Sequence, residues 1–290
     1  MLNIIGNKYI FLTISGLLVL AAIFAIGYYG LRQGIDFTGG SQWQIKIPTT
    51  PLSQLQEIYP EATIVEESSS GSFIIRAKAI DRQLLLKKFA NLEELAYEEI
   101  GPAIGRELRR KALWAFIGVL LTISLYIALA FRKVSRPVSS WKYGLITLVT
   151  LFHDAIIPIG VIAFLGQYGL TELNTNIVVA VLVIIGFSVH DTIVVFDRIR
   201  ENLRTDQRLK SDFNHEFNGL VNKSVNQTLA RSINTSLTLI LILLALFFFA
   251  SASLTYFILA ILIGVIVGTY SSIFIASPLL TLWQPRGKMP

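Results

Sequence analysis

The sequence predicts an α-helical polytopic membrane protein, with six transmembrane helices and a small α+β ferredoxin-like external domain between helices 1 and 2. Three observations predict it. Hydrophobic residues make up 53% of the 290, charged ones only 15%, and mean hydropathy is +0.61, where a soluble domain carries about a quarter charged residues. Six apolar stretches have the ~20 residues needed to cross ~30 Å of hydrocarbon. Charge is confined to islands. Eleven of the 19 acidic residues lie between Arg32 and Glu107 and five between Asp197 and Glu216, leaving only Asp154, Glu172 and Asp191 elsewhere.

The spans are expected at 9–29, 112–131, 143–165, 175–196, 233–251 and 254–282. Cytoplasmic loops collect Lys and Arg. Arg132, Lys133, Arg136 and Lys142 lie between spans two and three, and Arg198, Arg200, Arg204, Arg208, Lys210, Lys223 and Arg231 between spans four and five. Arg286 and Lys288 follow span six, whereas the loops near 167–174 and 250–253 carry no basic residue. Both termini are therefore expected in the cytoplasm of a cell membrane protein. The division is 1–29, N-terminus and first span; 30–111, an extracytoplasmic domain; and 112–290, five helices with a cytoplasmic loop at 197–232. Only Lys8 precedes the first apolar run and no A-x-A-like cleavage site follows, which predicts an uncleaved anchor. The net charge of +6 thus reflects the lipid bilayer and is no sign of nucleic acid. Zero cysteines exclude disulfides, thiolate metal sites and cysteine nucleophiles.

Within the island, Ser41–Ile47 alternates as a strand. Pro51–Tyr59 places Leu52, Leu55 and Ile58 at helical spacing. Ala62–Glu66 and Ser72–Ala77 flank the turn-rich Glu67–Gly71, a hairpin signal. Ile80–Ala90 reads as a helix with Leu84, Leu85 and Phe89 inward, and Leu92–Ile100 as a fourth strand ended by Gly101-Pro102. The order βαββαβ is ferredoxin-like. Eleven basic and eleven acidic residues balance there, so no substrate of one sign is indicated.

Asp191 carries the strongest chemical signal, because it lies in the apolar run Asn176–Phe196. An ionisable group at membrane depth is costly and faces protein or water. Ile184, Ser188, Asp191 and Val195 share one helix face, with Thr192 beside Asp191, so Ser188 and Thr192 are positioned to bond the carboxylate. Two readings stand: a proton or ion carrier, or a polar contact tying helices. Arg231 opens span five, with Asn234 and Thr238 on its face; it reads either as the cation for Asp191 or as an interfacial anchor. Asp154, four residues before Pro158, is a relay member or a structural contact. His153 and His190 each precede an aspartate, but adjacent helical residues diverge by about 100°, so neither pair alone makes a metal site; His190 reads as a packed neutral residue or a relay assistant. Asp197, Arg198, Arg200, Glu201 and Arg204 end span four, where basic side chains suit a helix C-terminus. Phe213, Phe217, Leu220, Val221 and Val225 form an apolar stripe that suggests an interfacial helix. Gly264 and Gly268 suggest close helix packing. Gly34–Gly40 is Gly-rich but lacks the Lys-Ser/Thr of a phosphate loop, and reads as a tight turn launching the first strand. With no hydrolase motif, an enzyme is not expected.

Together these residues resemble the SecF family, the smaller subunits of the bacterial SecD–SecF accessory complex, over nearly the whole chain. The matching segments are Gly34-Ile-Asp-Phe-Thr-Gly-Gly40, His153-Asp154, Gly186 through Asn202, Thr228 through Thr235 and Tyr270 through Pro278. His190 stands where the family usually has Asn, and the loop before Arg231 is longer than expected. The resemblance implies a six-plus-six pairing with SecD, similar to resistance-nodulation-division transporters, beside the SecYEG translocon. It implies that the proton motive force assists late export of the emerging preprotein, with Asp191 and Arg231 in proton conduction, no cofactor, and H⁺ as the coupling ion where the residues alone leave H⁺ or Na⁺ open. Two rivals remain: half of a lipid or small-molecule exporter, and a purely structural partner of SecD.

Overall fold

A computed structural model describes residues 2–48, 51–60, 62–68, 71–89, 91–132, 138–205 and 213–283. Lys133, Arg136, Arg208, Lys210, Arg286 and Lys288, and part of the Glu67–Gly71 turn, lie outside these residues.

After α1 (Lys8–Tyr29) and the short α2 (Ile35–Thr38) come β1 (Gly40–Lys46), α3 (Leu52–Ile58), β2 (Thr63–Ser68), β3 (Ser72–Ala77), α4 (Arg82–Lys88) and β4 (Glu93–Ile100). The strands form one antiparallel sheet in the order β2-β3-β1-β4, as a βαββαβ chain folds with its first and third strands central. Alternation sends Trp43 and Ile45 of β1 and Phe73 and Ile75 of β3 into one core with Leu55 and Leu85 from the helices. Asp81 caps α4, its Oδ1 accepting from the N–H groups of Gln83 and Leu84 at 3.0 and 3.1 Å. Leu84, expected inside, is exposed. A seven-residue helix offers one narrow buried stripe, and Leu85 and Phe89, one turn apart, occupy it.

The Gly-rich segment is a turn of helix closed by glycines rather than a bare turn. Gly39 and Gly40 have φ of +80° and +148°. A Cβ at Gly39 would strike the Pro102 backbone and one at Gly40 the Ala77 carbonyl oxygen.

Among the described residues six helices are long and apolar enough to span a membrane: α1, α5 (Pro102–Ala130), α6 (Ser140–Gln167), α7 (Thr175–Thr205), α8 (Phe213–Phe249), and a composite of α9 (Thr255–Ser271), a π turn at Ser272–Ala276 and α10 (Ser277–Leu282). The protein is thus a multi-pass membrane protein. Helix α5 starts ten residues before the expected span, with Pro102 in its first turn, a position where its missing N–H costs nothing. The π turn precedes Pro278, which has no N–H to give the preceding turn.

The expected interfacial helix is absent among the described residues, because α8 runs unbroken into the fifth span. Phe217, Leu220, Val221 and Val225 are buried, packed with Phe196, Ile199 and Leu203 of α7 and with Ile4 and Ile5. The N-terminal turn is clasped from α8: Asn222 Oδ1 accepts from the N–H groups of Ile4 and Ile5 at 2.9 and 3.2 Å, and Asn226 Oδ1 from that of Leu2 at 2.8 Å. The stripe therefore meets protein where lipid contact was expected. Of the segment expected as the loop 197–232, residues 197–205 and 213–232 are helical.

Candidate functional site

Glycines set how closely the helices approach. A Cβ at Gly264 would collide with Ile184, and one at Gly268 would lie 3.1 Å from the Ser188 Cβ, so α9 lies directly on α7. The π turn then aims two adjacent serines inward. Ser271 Oγ donates to Asp154 Oδ2 at 2.7 Å, and Ser272 Oγ pairs with Thr192 Oγ1 at 3.0 Å. Ser188 also donates to Asp154 Oδ2, and His153 Nδ1 lies 2.8 Å from Oδ1. Asp154, 0% exposed, is closed in from α6, α7 and α9.

Asp191, 6% exposed, is held differently. Ser232 Oγ of α8 donates to its Oδ1 at 2.6 Å, while its buried Oδ2 has no hydrogen-bond partner. A buried oxygen without a partner is costly in a charged carboxylate and tolerable in a protonated one. From Ser232 the hydroxyls continue: Ser236 donates to the Ser232 carbonyl at 2.8 Å and pairs with Thr269 Oγ1 at 2.5 Å.

Two expected partnerships are thereby corrected. Ser188 and Thr192 serve Asp154 and Ser272 instead of Asp191. Their side of α7 meets α6 and α9, while Asp191 meets α8. Arg231 does not pair with Asp191 in this chain: its side chain is exposed, and Ser232, about 100° further round the helix, takes the inward place. Arg231, Asn234 and Thr238 do share a face, and it is exposed. His190 is exposed as well, not packed. Asp197 pairs with Arg200 at 2.5 Å and, with Arg231, Gln227 and Thr228, lines an open cleft of about 430 Å³ between α7 and α8. Among the described residues no group of three or more His, Cys, Asp or Glu could hold a metal.

A third buried carboxylate, Glu172, lies at the junction of the sheet and the helix bundle. Its Oε2 accepts from Thr63 Oγ1 of β2 at 3.3 Å, and its Oε1 lies 3.8 Å from Arg76 Nη1 of β3. Burial pushes its pKa up, against the pull of Arg76 and Arg32. The backbone pairs here too: Gly34 N–H donates to the Leu173 carbonyl at 2.8 Å and Leu173 N–H to the Arg32 carbonyl at 2.7 Å. Asp36 Oδ2 accepts from Thr175 N–H at 2.7 Å and Asn174 Oδ1 from Ile177 N–H at 3.0 Å, so together they cap α7. Ser251 Oγ reaches Glu67 Oε1 of β2 at 3.0 Å. Sequence reasoning missed Glu172, Ser232, Ser271 and Ser272. A charge stranded between two spans was the available signal for Glu172; a serine in an apolar helix carries none until the neighbouring helix is known.

A sheet domain tied to a six-helix bundle that buries aspartates defines an integral membrane protein organised around ionisable groups at membrane depth. Residues 81–286 match the family described as protein export membrane protein SecD/SecF, C-terminal. The protein translocase subunit SecF of Thermobaculum terrenum is 40% identical, with 99% of this chain and 95% of that one aligned, and that of Anaerolinea thermophila 33% over 98% and 94%. The crystal structure of SecDF, a translocon-associated membrane protein from Thermus thermophilus, superposes with a TM-score of 0.81 at 33% identity. It aligns with 97% of this chain, which spans only 38% of that longer one. The chain belongs to the SecF family, and the relatives it matches are protein translocase subunits.

Proposed function

We propose that this chain pairs with SecD and, beside the SecYEG channel, uses the proton motive force to assist late preprotein export. Asp191 carries the proton in this reading. The observation that carries it is the unpartnered buried Oδ2 of Asp191, next to a helix face that leaves His190, Arg231, Asn234 and Thr238 exposed. Polar groups on the outside of a span belong against protein or water, and we assign that face to the membrane half of SecD. The fused SecDF relative supports this, since the chain aligns with 37% of its length at 35% identity.

Loop charge orients the reading, with both termini cytoplasmic and residues 30–111 outside. The cleft at Asp197 and Arg231 then opens to the cytoplasm and serves as the exit for protons released from Asp191. Asp154 braces α7 from behind. Protonating Asp191 changes what α8 must satisfy and shifts α8 against α7. The motion passes through α7 to the Glu172 junction and the sheet domain, which acts on the emerging chain. One charge moved through 100 mV supplies about 2.3 kcal/mol, enough to bias states a few kcal/mol apart. A crystal structure of SecDF in a super-membrane-facing form, which matches at a TM-score of 0.70, supports more than one arrangement in the family.

The test is preprotein export into membrane vesicles under an imposed proton gradient, at equal recovery of this chain and SecD. Asp191→Asn is expected to lower the gradient-dependent stage at least about tenfold, as removal of an essential general acid–base group does. Full export by Asp191→Asn with normal assembly would leave the chain a structural partner.

A further inference from the structure

Away from the aspartates, α5 and α7 part on the side nearest the sheet domain and leave a cavity of about 560 Å³. Leu113 and Phe116 of α5 face Val178 and Leu182 of α7 across it, Ile159 of α6 lines it, and Phe37 of α2 borders its sheet-domain end. Arg106, Arg109 and Arg110, on the first turns of α5, line the same end. Leu113 is 58% exposed, so the slot is open to the bilayer along its side.

Its dimensions select the occupant. From Arg106 to Phe116 is ten residues of helix, about 15 Å, half of the ~30 Å hydrocarbon thickness and so one leaflet. About 560 Å³ along ~15 Å of helix has room for a hydrocarbon chain, and the walls over that length are apolar. Charge selects the headgroup. Among the described residues no carboxylate lies within 4.0 Å of any of the three guanidiniums, and Arg109 makes only a 3.4 Å bond to Gln33 Oε1. Arginine forks match phosphate oxygens, and they stand where the apolar part of α5 begins.

We propose that the slot between α5 and α7 binds one acyl chain of an anionic phospholipid from the leaflet on the sheet-domain side, its phosphate held by Arg106, Arg109 and Arg110. The lipid fills the gap between the helix that leaves the sheet domain and the helix that carries Asp191. The proposal stands independently of the proton reading.

Native mass spectrometry of the purified full chain, from nanodiscs of phosphatidylglycerol or phosphatidylcholine, tests it. One retained phosphatidylglycerol per chain is expected, with weaker retention of phosphatidylcholine. Replacing Arg106, Arg109 and Arg110 by Gln should lower phosphatidylglycerol retention by roughly fivefold per arginine, the equivalent of ~1 kcal/mol each. Val178→Trp, which fills the slot and leaves the arginines, should expel both lipids. Equal retention of the two headgroups, or unchanged retention in Val178→Trp, overturns the proposal. The chain has no native cysteine, so Leu113→Cys is a unique handle; efficient cross-linking from it to co-expressed SecD would make the slot a protein interface and equally overturn the lipid.

Discussion

Asp154 and Asp191 are carboxylates buried on neighbouring helices, and the bundle holds them in opposite ways. Asp154 has His153 on one oxygen and Ser188 and Ser271 on the other. Asp191 has Ser232 on one oxygen and nothing on the other. The difference arises in helix packing. Gly264 and Gly268 press α9 onto α7 on the Asp154 side, while on the Asp191 side α8 turns Arg231 and Asn234 outward. A closed cage makes a poor carrier, since moving its proton disturbs three partners at once. A half-satisfied carboxylate at an exposed seam needs little rearrangement to change state. The contrast separates a brace from a working group.

Stability should show the contrast most strongly. Asp154→Ala removes two interhelical bonds, worth ~0.6–1.7 kcal/mol each in membrane proteins, and leaves the buried Ser188 hydroxyl unpaired at a cost of ~1–3 kcal/mol, while Ser271 keeps the Gly268 carbonyl. A loss of about 3 kcal/mol is expected in reversible unfolding in mixed micelles. Asp191→Ala removes one such bond and leaves the buried Ser232 hydroxyl unpaired, so about 2 kcal/mol is expected. Equal losses, or the reverse order, would break the assignment of Asp154 as the brace.

Helix contact makes a narrower test. Gly264→Ala meets Ile184, which is fully buried and has no room to yield, whereas Gly268→Ala lies 3.1 Å from the Ser188 Cβ and asks for a shift of a few tenths of an ångström. Overpacking costs ~1–3 kcal/mol, with Gly264→Ala toward the upper end and Gly268→Ala toward the lower. Both should disturb the Asp154 side alone. Cysteine pairs across α7 and α8 should cross-link at the wild-type rate, and slowed cross-linking there would show the two sides to be one unit.

The architecture was legible in the sequence because membrane crossing and sheet formation are written in periodicity. The apolar runs gave six spans, and the alternation in Ser41–Ile47 and Ser72–Ala77 gave the central strands. That Ile184, Ser188, Asp191 and Val195 turn inward was legible for the same reason, and all four are buried, with Ser188 turned to Asp154 and Asp191 to Ser232. Partnerships were not. Whether Ser188 serves Asp154 or Asp191 depends on which helix lies on which side of α7, and no local pattern encodes that. Ser232 beside Arg231 shows the limit, since one helical step decides which of the two faces the carboxylate. The Phe213–Val225 stripe was read as lipid-facing because an amphipathic helix has the same sequence whether lipid or protein covers it.

Glu172 sharpens the comparison from outside the membrane, with the smallest expected effect. Two arginines, Arg76 and Arg32, act on it, along with Thr63 and the like charge of Asp36. Burial still dominates and raises its pKa above the ordinary 4.5. A raised carboxyl pKa means that the packed junction holds the proton more tightly than the open one. Closure is then fully favoured below the ordinary value and weakens as pH rises through the raised one. Hydrogen exchange at the Gly34 and Leu173 amides, corrected for intrinsic rate, reads this directly, because both are bonded across the junction. Protection should fall a few-fold between about pH 4 and about pH 8. Glu172→Gln, uncharged throughout and able to keep the Thr63 contact, should flatten the profile at high protection. A flat wild-type profile, or the same slope in Glu172→Gln, would show that the ion pair with Arg76 outweighs burial and that the junction does not respond to pH on its proposed outer side.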